Sequence, residues 1–216
     1  MTVRDLLRGL PVFDCALPSF DTESVPAEPS ALFLSWLRAA IEAGVREPHA
    51  MTISTVDADG RPDARVLILK DVDASGWQFA TAATSAKGAQ LAASPAAALS
   101  FHWREQGRQV RVRGAVAPAD PSVSAADFLA KPDGSRIAGL VGRQSAVLED
   151  PRKLALEVEA ATQRLAGDPL AVPAEHTVYV LTPAKVEFWQ GDRERQHIRL
   201  RYRRAGGGWV TERLWP

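Results

Sequence analysis

Met51–Val56, Arg61–Lys70 and Trp77–Thr81 each alternate in side-chain character with a period of two. Only Asp57-Ala58-Asp59-Gly60 and Asp73-Ala74-Ser75-Gly76 separate them. A parallel pair needs a crossover of about a dozen residues, so connections this short force antiparallel neighbours. The same grammar returns twice. Ala97–Glu105 and Arg108–Ala117 flank Gln106-Gly107, and Gln196–Arg203 and Trp209–Leu214 flank Gly206-Gly207-Gly208. Thr177–Leu181 and Lys185–Trp189 read as strands on either side of Pro183.

Helical spacing is confined to four places. Leu32, Phe33, Trp36, Leu37, Ala40 and Ile41 follow Ser30 as cap; the others are Ser85–Ala93, Ser122–Ala130 and Pro151–Leu165. Lys131–Gln144, with Gly134, Gly139 and Gly142, reads as a loop. There is no βαβ alternation, no GxGxxG and no GxxxxGK[ST], so a Rossmann or P-loop domain is not expected. The expected class is mainly β, an antiparallel barrel with peripheral helices. Residues 1–28, with prolines at 11, 18 and 26, read as an irregular arm with a short helical turn at Val3–Leu10, and 29–216 as one domain.

Lys+Arg and Asp+Glu balance at 26 each, so bulk charge gives no reason to expect nucleic acid or a membrane surface as partner. Any anion site must be built locally. One cysteine, Cys15, cannot form an internal disulfide. His49, His102, His176 and His197 stand apart without ligand-spaced partners, so no metal is expected. The N-terminus lacks a secretory pattern and no run reaches membrane-spanning length; a cytoplasmic setting is expected.

Three stretches have the chemistry for a local anion site. From Arg195 on, Arg195, His197, Arg199, Arg201 and Arg203 share one parity, while Ile198, Leu200 and Tyr202 share the other. That row is either an outward basic face or, in its first three members, an anion site beside Phe188-Trp189-Gln190-Gly191. Thr81 and Ser85-Ala86-Lys87 put hydroxyls, an ammonium and a helix start together, which suits a phosphate monoester or, more plainly, an N-cap with a surface lysine. Gln109, beside Arg108, and Gln144, beside Arg143 and Ser145, can both donate to and accept from a heterocycle.

These segments together resemble the pyridoxamine 5′-phosphate oxidase family, the flavin-dependent split-barrel oxidases. The matching pieces are Trp36-Leu37, Glu47-Pro48-His49-Ala50-Met51, Thr55–Pro62, Arg65–Lys70, Ser85-Ala86-Lys87, Arg108-Gln109-Val110, Arg143-Gln144-Ser145, Glu187–Gly191 with Arg195, His197 and Arg199, and the closing Arg213-Leu214-Trp215-Pro216. The resemblance implies an antiparallel split barrel and a homodimer holding FMN at its interface. The implied FMN positions are Arg65, Val66, Leu67, Ile68, Leu69, Lys70, Thr81, Ser85, Lys87, Gln109, Gln144, Ser145, Trp189 and Arg199, with the phosphate near Arg65, Ser85 and Lys87. Substrate positions would be Lys70, Lys131, Ser135, Arg195 and His197. Arg195 and His197 would be catalytic, and Lys70, Lys131 and Ser135 would hold a substrate phosphate. The implied reaction oxidises pyridoxine or pyridoxamine 5′-phosphate, with dioxygen reduced to hydrogen peroxide.

Four positions depart from that pattern. Ala80 replaces an aromatic residue, Ala86 an arginine, Asp127 a tyrosine that touches the substrate phosphate, and Lys131 an arginine. Either Asp127 points away, or the substrate is not a phosphate held in the usual place. Arg46-Glu47-Pro48 and Ser85–Gly88 also resemble the phenazine-biosynthesis flavin oxidases, which act on a reduced tricyclic acid. A non-catalytic flavin-binding barrel and a nucleic-acid-binding barrel are the readings outside that class.

Overall fold

The computed structural model describes residues 1–216. Its elements run α1 (Val3–Arg8), α2 (Pro29–Glu42), β1 (Ala50–Val56), β2 (Pro62–Asp73), β3 (Gly76–Ala82), α3 (Ala86–Ala93), β4 (Ala96–Trp103), β5 (Arg108–Pro118), α4 (Pro121–Leu129), α5 (Asp133–Val141), α6 (Pro151–Gly167), β6 (His176–Gln190), β7 (Ile198–Ala205) and β8 (Gly208–Leu214). The strands lie in the order β3-β2-β1-β4-β5-β6-β7-β8, and β3 also pairs with β6. This second pairing closes the first six strands on themselves, which is the expected antiparallel barrel. In its register Phe79 faces Tyr179 and Thr81 faces Thr177.

The turns form for local reasons. Asp57 Oδ1 accepts from the N–H groups of Asp59 and Arg61, and Asp73 Oδ1 from that of Ser75. Gly206 and Gly207 have φ of +56° and +84°, the left-handed pair that a tight hairpin requires. The glycine triplet is therefore a turn between β7 and β8.

Two compact units divide the chain. The first comprises Met1–Thr52, Leu99–Arg113 and Ala184–Pro216; the second comprises Ile53–Ala98 and Gly114–Pro183. The first unit buries Phe33, Trp36, Phe101, Trp103, Phe188 and Tyr202, with Trp36 edge-on to Phe188 at 5.2 Å between ring centroids. The second buries Phe79, Leu91, Phe128 and Leu181, and Phe79 stacks on Tyr179 at 5.7 Å.

The structure departs from the sequence expectations at four places. Helix α2 begins at Pro29, with Glu28 as an N-cap that makes no side-chain bond; proline at the first helical position fixes the start instead of Ser30. Helix α5 occupies most of the expected loop. Its Gly139 serves close packing, since a Cβ there would lie 2.6 Å from Phe128 Cε2. Only Gly142, with φ of +64°, breaks the helix. Strand β6 continues through Pro183, where Gly114 lets backbones approach; a Cβ on Gly114 would lie 1.9 Å from the Thr182 carbonyl oxygen. Strand β7 starts at Ile198, so Arg195 and His197 belong to a loop. The Val3–Arg8 turn forms, capped by Thr2, with every residue exposed.

Candidate functional site

In the second unit, the end of β3 and the start of α3 build a polar cradle. Ser85 caps α3, its Oγ accepting from Gly88 N–H at 3.3 Å. Lys87 Nζ donates to Ser85 Oγ at 3.3 Å and to Gln144 Oε1 at 3.1 Å, and Thr81 Oγ1 donates to Gln144 Oε1 at 3.4 Å. Ser145 Oγ accepts from Ala86 N–H at 3.2 Å, so part of the helix start is already satisfied internally. Gly88 is required here, because a Cβ would lie 2.2 Å from the Ala83 carbonyl oxygen.

Lys87 is 5% exposed, yet its ammonium makes no ion pair. Burial, followed by the nearby Arg65 charge, pushes its pKa down. Its surface-lysine reading therefore fails. The ammonium lies between one hydroxyl and one amide, and the Asp63 charge acts on it without forming an ion pair. Arg65 is further along the same wall: Nη1 donates to Thr55 Oγ1 at 2.5 Å and Nη2 to Gln90 Oε1 at 3.1 Å, and it also pairs with Asp63.

A second cationic group, also in the second unit, is arranged differently. Asp127 on α4 bridges two lysines, with Oδ1 3.1 Å from Lys70 Nζ and Oδ2 3.5 Å from Lys131 Nζ. Its Oδ2 also accepts from His176 Nε2 at 2.8 Å. Burial raises the Asp127 carboxyl, but the hydrogen bonds from His176 and Lys70 and the two ammonium charges outweigh it, and its pKa is lowered. Burial lowers His176, and burial also lowers Lys131 against the pull of Asp127. Asp127 thus points toward both lysines. Ser135 is exposed in the first turn of α5.

Thr81 and Gln144 from the cradle, Lys131 and His176 from the cluster, and Leu67 and Glu175 line one cavity of about 460 Å³. On β2, Val66 and Ile68 are exposed, Leu67 is half-buried and Leu69 is buried.

In the first unit, Trp189 and His197 are in ring contact at 4.8 Å, and Phe13 touches both, at 6.0 and 5.8 Å. The Asp192 backbone N–H donates to His197 Nδ1 at 3.1 Å, which leaves the ring proton on Nε2. Arg195 is exposed at a φ of +67°. Arg199 faces Trp189 across β6 and β7; its Nε and Nη2 donate to Glu187 Oε1 at 3.0 and 2.8 Å, and Nη1 donates to the Trp215 carbonyl at 3.0 Å. Arg201 and Arg203 both pair with Glu212 on β8, so that end of the basic row is an outward, ion-paired face. Gln109 is half-buried. Arg108 is structural: it lies over Trp36 at 4.2 Å and donates to Gln190 Oε1, and burial lowers its pKa to about 10.

Two participants escaped the sequence reading. His176 gave no local signal, because its partner Asp127 is distant in sequence. Phe13 lay in a stretch with no periodicity; Arg193 holds it by donating to the Phe13 and Cys15 carbonyls.

Residues 37–165 match the family model described as pyridoxamine 5′-phosphate oxidase, and residues 176–216 match the pyridoxine 5′-phosphate oxidase C-terminal dimerisation region. The chain is 44% identical over 191 residues to a pyridoxine/pyridoxamine 5′-phosphate oxidase of Hyphomonas neptunium, covering 87% of each. It is 44% identical over 193 residues to one of Pseudomonas fluorescens, covering 88% of this chain and 90% of the relative. Among solved structures it is similar to PhzG from Burkholderia lata 383, in complex with tetrahydrophenazine-1-carboxylic acid. The TM-score there is 0.88 at 31% identity, over 93% of this chain and 99% of the other. A pyridoxamine 5′-phosphate oxidase-related, FMN-binding protein of Nostoc punctiforme shares the fold, with a TM-score of 0.71 at 18% identity, over 89% of this chain and 100% of the other.

Proposed function

Because the chain belongs to the pyridoxamine 5′-phosphate oxidase family of FMN-dependent oxidases, we propose that it oxidises pyridoxine or pyridoxamine 5′-phosphate to pyridoxal 5′-phosphate. FMN, when bound, supplies the hydride acceptor and the centre that passes electrons to dioxygen, giving hydrogen peroxide. The observation that carries this reading is the buried ammonium of Lys87, which no carboxylate approaches within ion-pair distance. Its donor set fits the FMN phosphate, and Lys87, Ser85 and Thr81, with Arg65, Gln144 and Ser145, would hold it. Val66, Leu67, Ile68, Leu69 and Lys70 on β2 would bound the ring system; Gln109, Trp189 and Arg199 of the first unit are the further FMN positions that the family resemblance implies.

Arg195 and His197 are the residues for the reacting end of the substrate. The exposed guanidinium of Arg195 is free to fold onto a bound ring, and His197 presents an Nε2–H donor whose orientation Asp192 fixes. Lys70, Lys131 and Ser135 would meet the anionic end. A homodimer with FMN at its interface accords with the dimerisation-region match and with the exposed Val66 and Ile68 of β2. No helix is long and apolar enough to cross a membrane.

A second reading, oxidation of an aromatic acid of the phenazine type, is favoured by one observation. Asp127 already sits on both lysines meant for a substrate phosphate. The test is to load the purified protein with FMN and follow peroxide with pyridoxine 5′-phosphate as reductant. Peroxide release supports the first reading; none from this substrate, with release from tetrahydrophenazine-1-carboxylic acid, supports the second.

A further inference from the structure

The two readings differ in the charge of the substrate's anionic end, a phosphate in the first and a carboxylate in the second. We propose that Asp127 is a specificity-determining residue, which bridges Lys70 and Lys131 and tunes the subsite to a singly charged anion, a carboxylate, over a phosphate dianion. The inference rests on the reading of this cluster as the substrate's anion subsite, and it weighs toward the second of the two readings.

The argument begins with charge. Two ammonium groups and one carboxylate converge, and the His176 side chain lies against the same carboxylate. Burial holds the imidazole toward its neutral form, so these four side chains sum to a single positive charge, and Glu175 lines the same cavity. A carboxylate ligand cancels that charge. A phosphate monoester, carrying between about −1.5 and −2 near neutral pH, exceeds it.

Geometry points the same way. The two Asp127 oxygens contact different lysines, as two oxygens of a bridging phosphate would. An incoming dianion must share those ammonium groups with a carboxylate a few ångströms away. Asp127 is also not free to swing aside, because His176 Nε2 donates to it at 2.8 Å and the His176 side chain is only 7% exposed. Phe128 packs against the ring from the other side, at 5.1 Å. Lys131 and His176, the two partners of Asp127 Oδ2, both line the cavity a ligand would enter.

The test uses FMN-loaded protein and a matched ligand pair, 4-deoxypyridoxine and its 5′-phosphate, titrated calorimetrically, with phenazine-1-carboxylate as the carboxylate probe. In the wild type the phosphate should improve binding by less than about tenfold. In Asp127→Asn that advantage should grow by about tenfold or more, with the unphosphorylated ligand unchanged and the carboxylate gaining less. Asp127→Ser carries the same reading should the asparagine variant fail to fold. A wild-type phosphate advantage of about a hundredfold or more, unaltered in both variants, would overturn the proposal. Absence of binding by all three ligands in every FMN-loaded form would overturn the oxidase reading itself.

Discussion

The cradle at Lys87 and the cluster at Asp127 begin from the same material and end differently. Each gathers ammonium and hydrogen-bonding groups, and each contributes to one cavity. Around Lys87 no carboxylate comes within ion-pair distance, so a buried charge is held against its desolvation cost by a hydroxyl, an amide and the more distant charge of Asp63. Around Lys70 and Lys131 the chain supplies its own counter-ion, fixed by His176. The position of the carboxylates, more than the number of cations, decides where a dianion will be held.

The comparison breaks first if Lys87 is an ordinary structural lysine. Lys87→Met should weaken FMN binding by about 10- to 100-fold, the loss of one charge-assisted contact. The melting temperature of the FMN-free variant should not fall, because the residue leaving is a buried ammonium without an ion-pair partner. Equilibrium dialysis and a melting curve check both halves. Gly88→Ala should destabilise the protein by about 1–3 kcal/mol, since the new Cβ meets the Ala83 carbonyl and backbone must shift. Chemical denaturation reads that cost.

Arg195→Ala should lower kcat/KM by about tenfold or more while FMN stays bound, because its exposed side chain lies in the loop before β7 and makes none of the cradle's hydrogen bonds. Equal FMN loss in Arg195→Ala and Lys87→Met would contradict that division of roles. The smallest effect is in pH. The His176 pKa is lowered from its ordinary 6.5, so below that value the unfolded chain takes up a proton that the folded chain resists. Wild-type stability should therefore fall, relative to His176→Gln, as pH drops through about 6.5. Asp127, also lowered, acts in the opposite sense to a raised group. Its stabilisation is full above 3.8 and is lost as pH falls below that value. Melting curves from pH 7.5 down to about 5 separate the His176 effect from the carboxylate.

The barrel was legible because its turns are local. Asp57 and Asp73 close their own turns, and Gly206-Gly207 closes the last hairpin. The cradle was legible for a related reason, since Thr81, Ser85 and Lys87 are neighbours in sequence. Gly139 misled toward a loop, as a glycine chosen for contact with Phe128 looks the same as one chosen for a turn; Gly134 has open space around it. Pro183 misled toward a break in β6 for lack of any sign that Gly114 lies close to its neighbour Thr182. The basic row was half legible. Arg201 and Arg203 belong to Glu212, on the next strand, while Arg195 had already left the strand. The odd residue at Asp127 was visible, but its partner His176 is brought to it only by the fold.

The most direct test of the central claim compares FMN with riboflavin, which differs only in lacking the phosphate. If the Lys87 cradle holds that phosphate, the wild-type protein binds FMN about 100-fold or more tightly than riboflavin, as read by quenching of flavin fluorescence. Equal dissociation constants for the two flavins would contradict it.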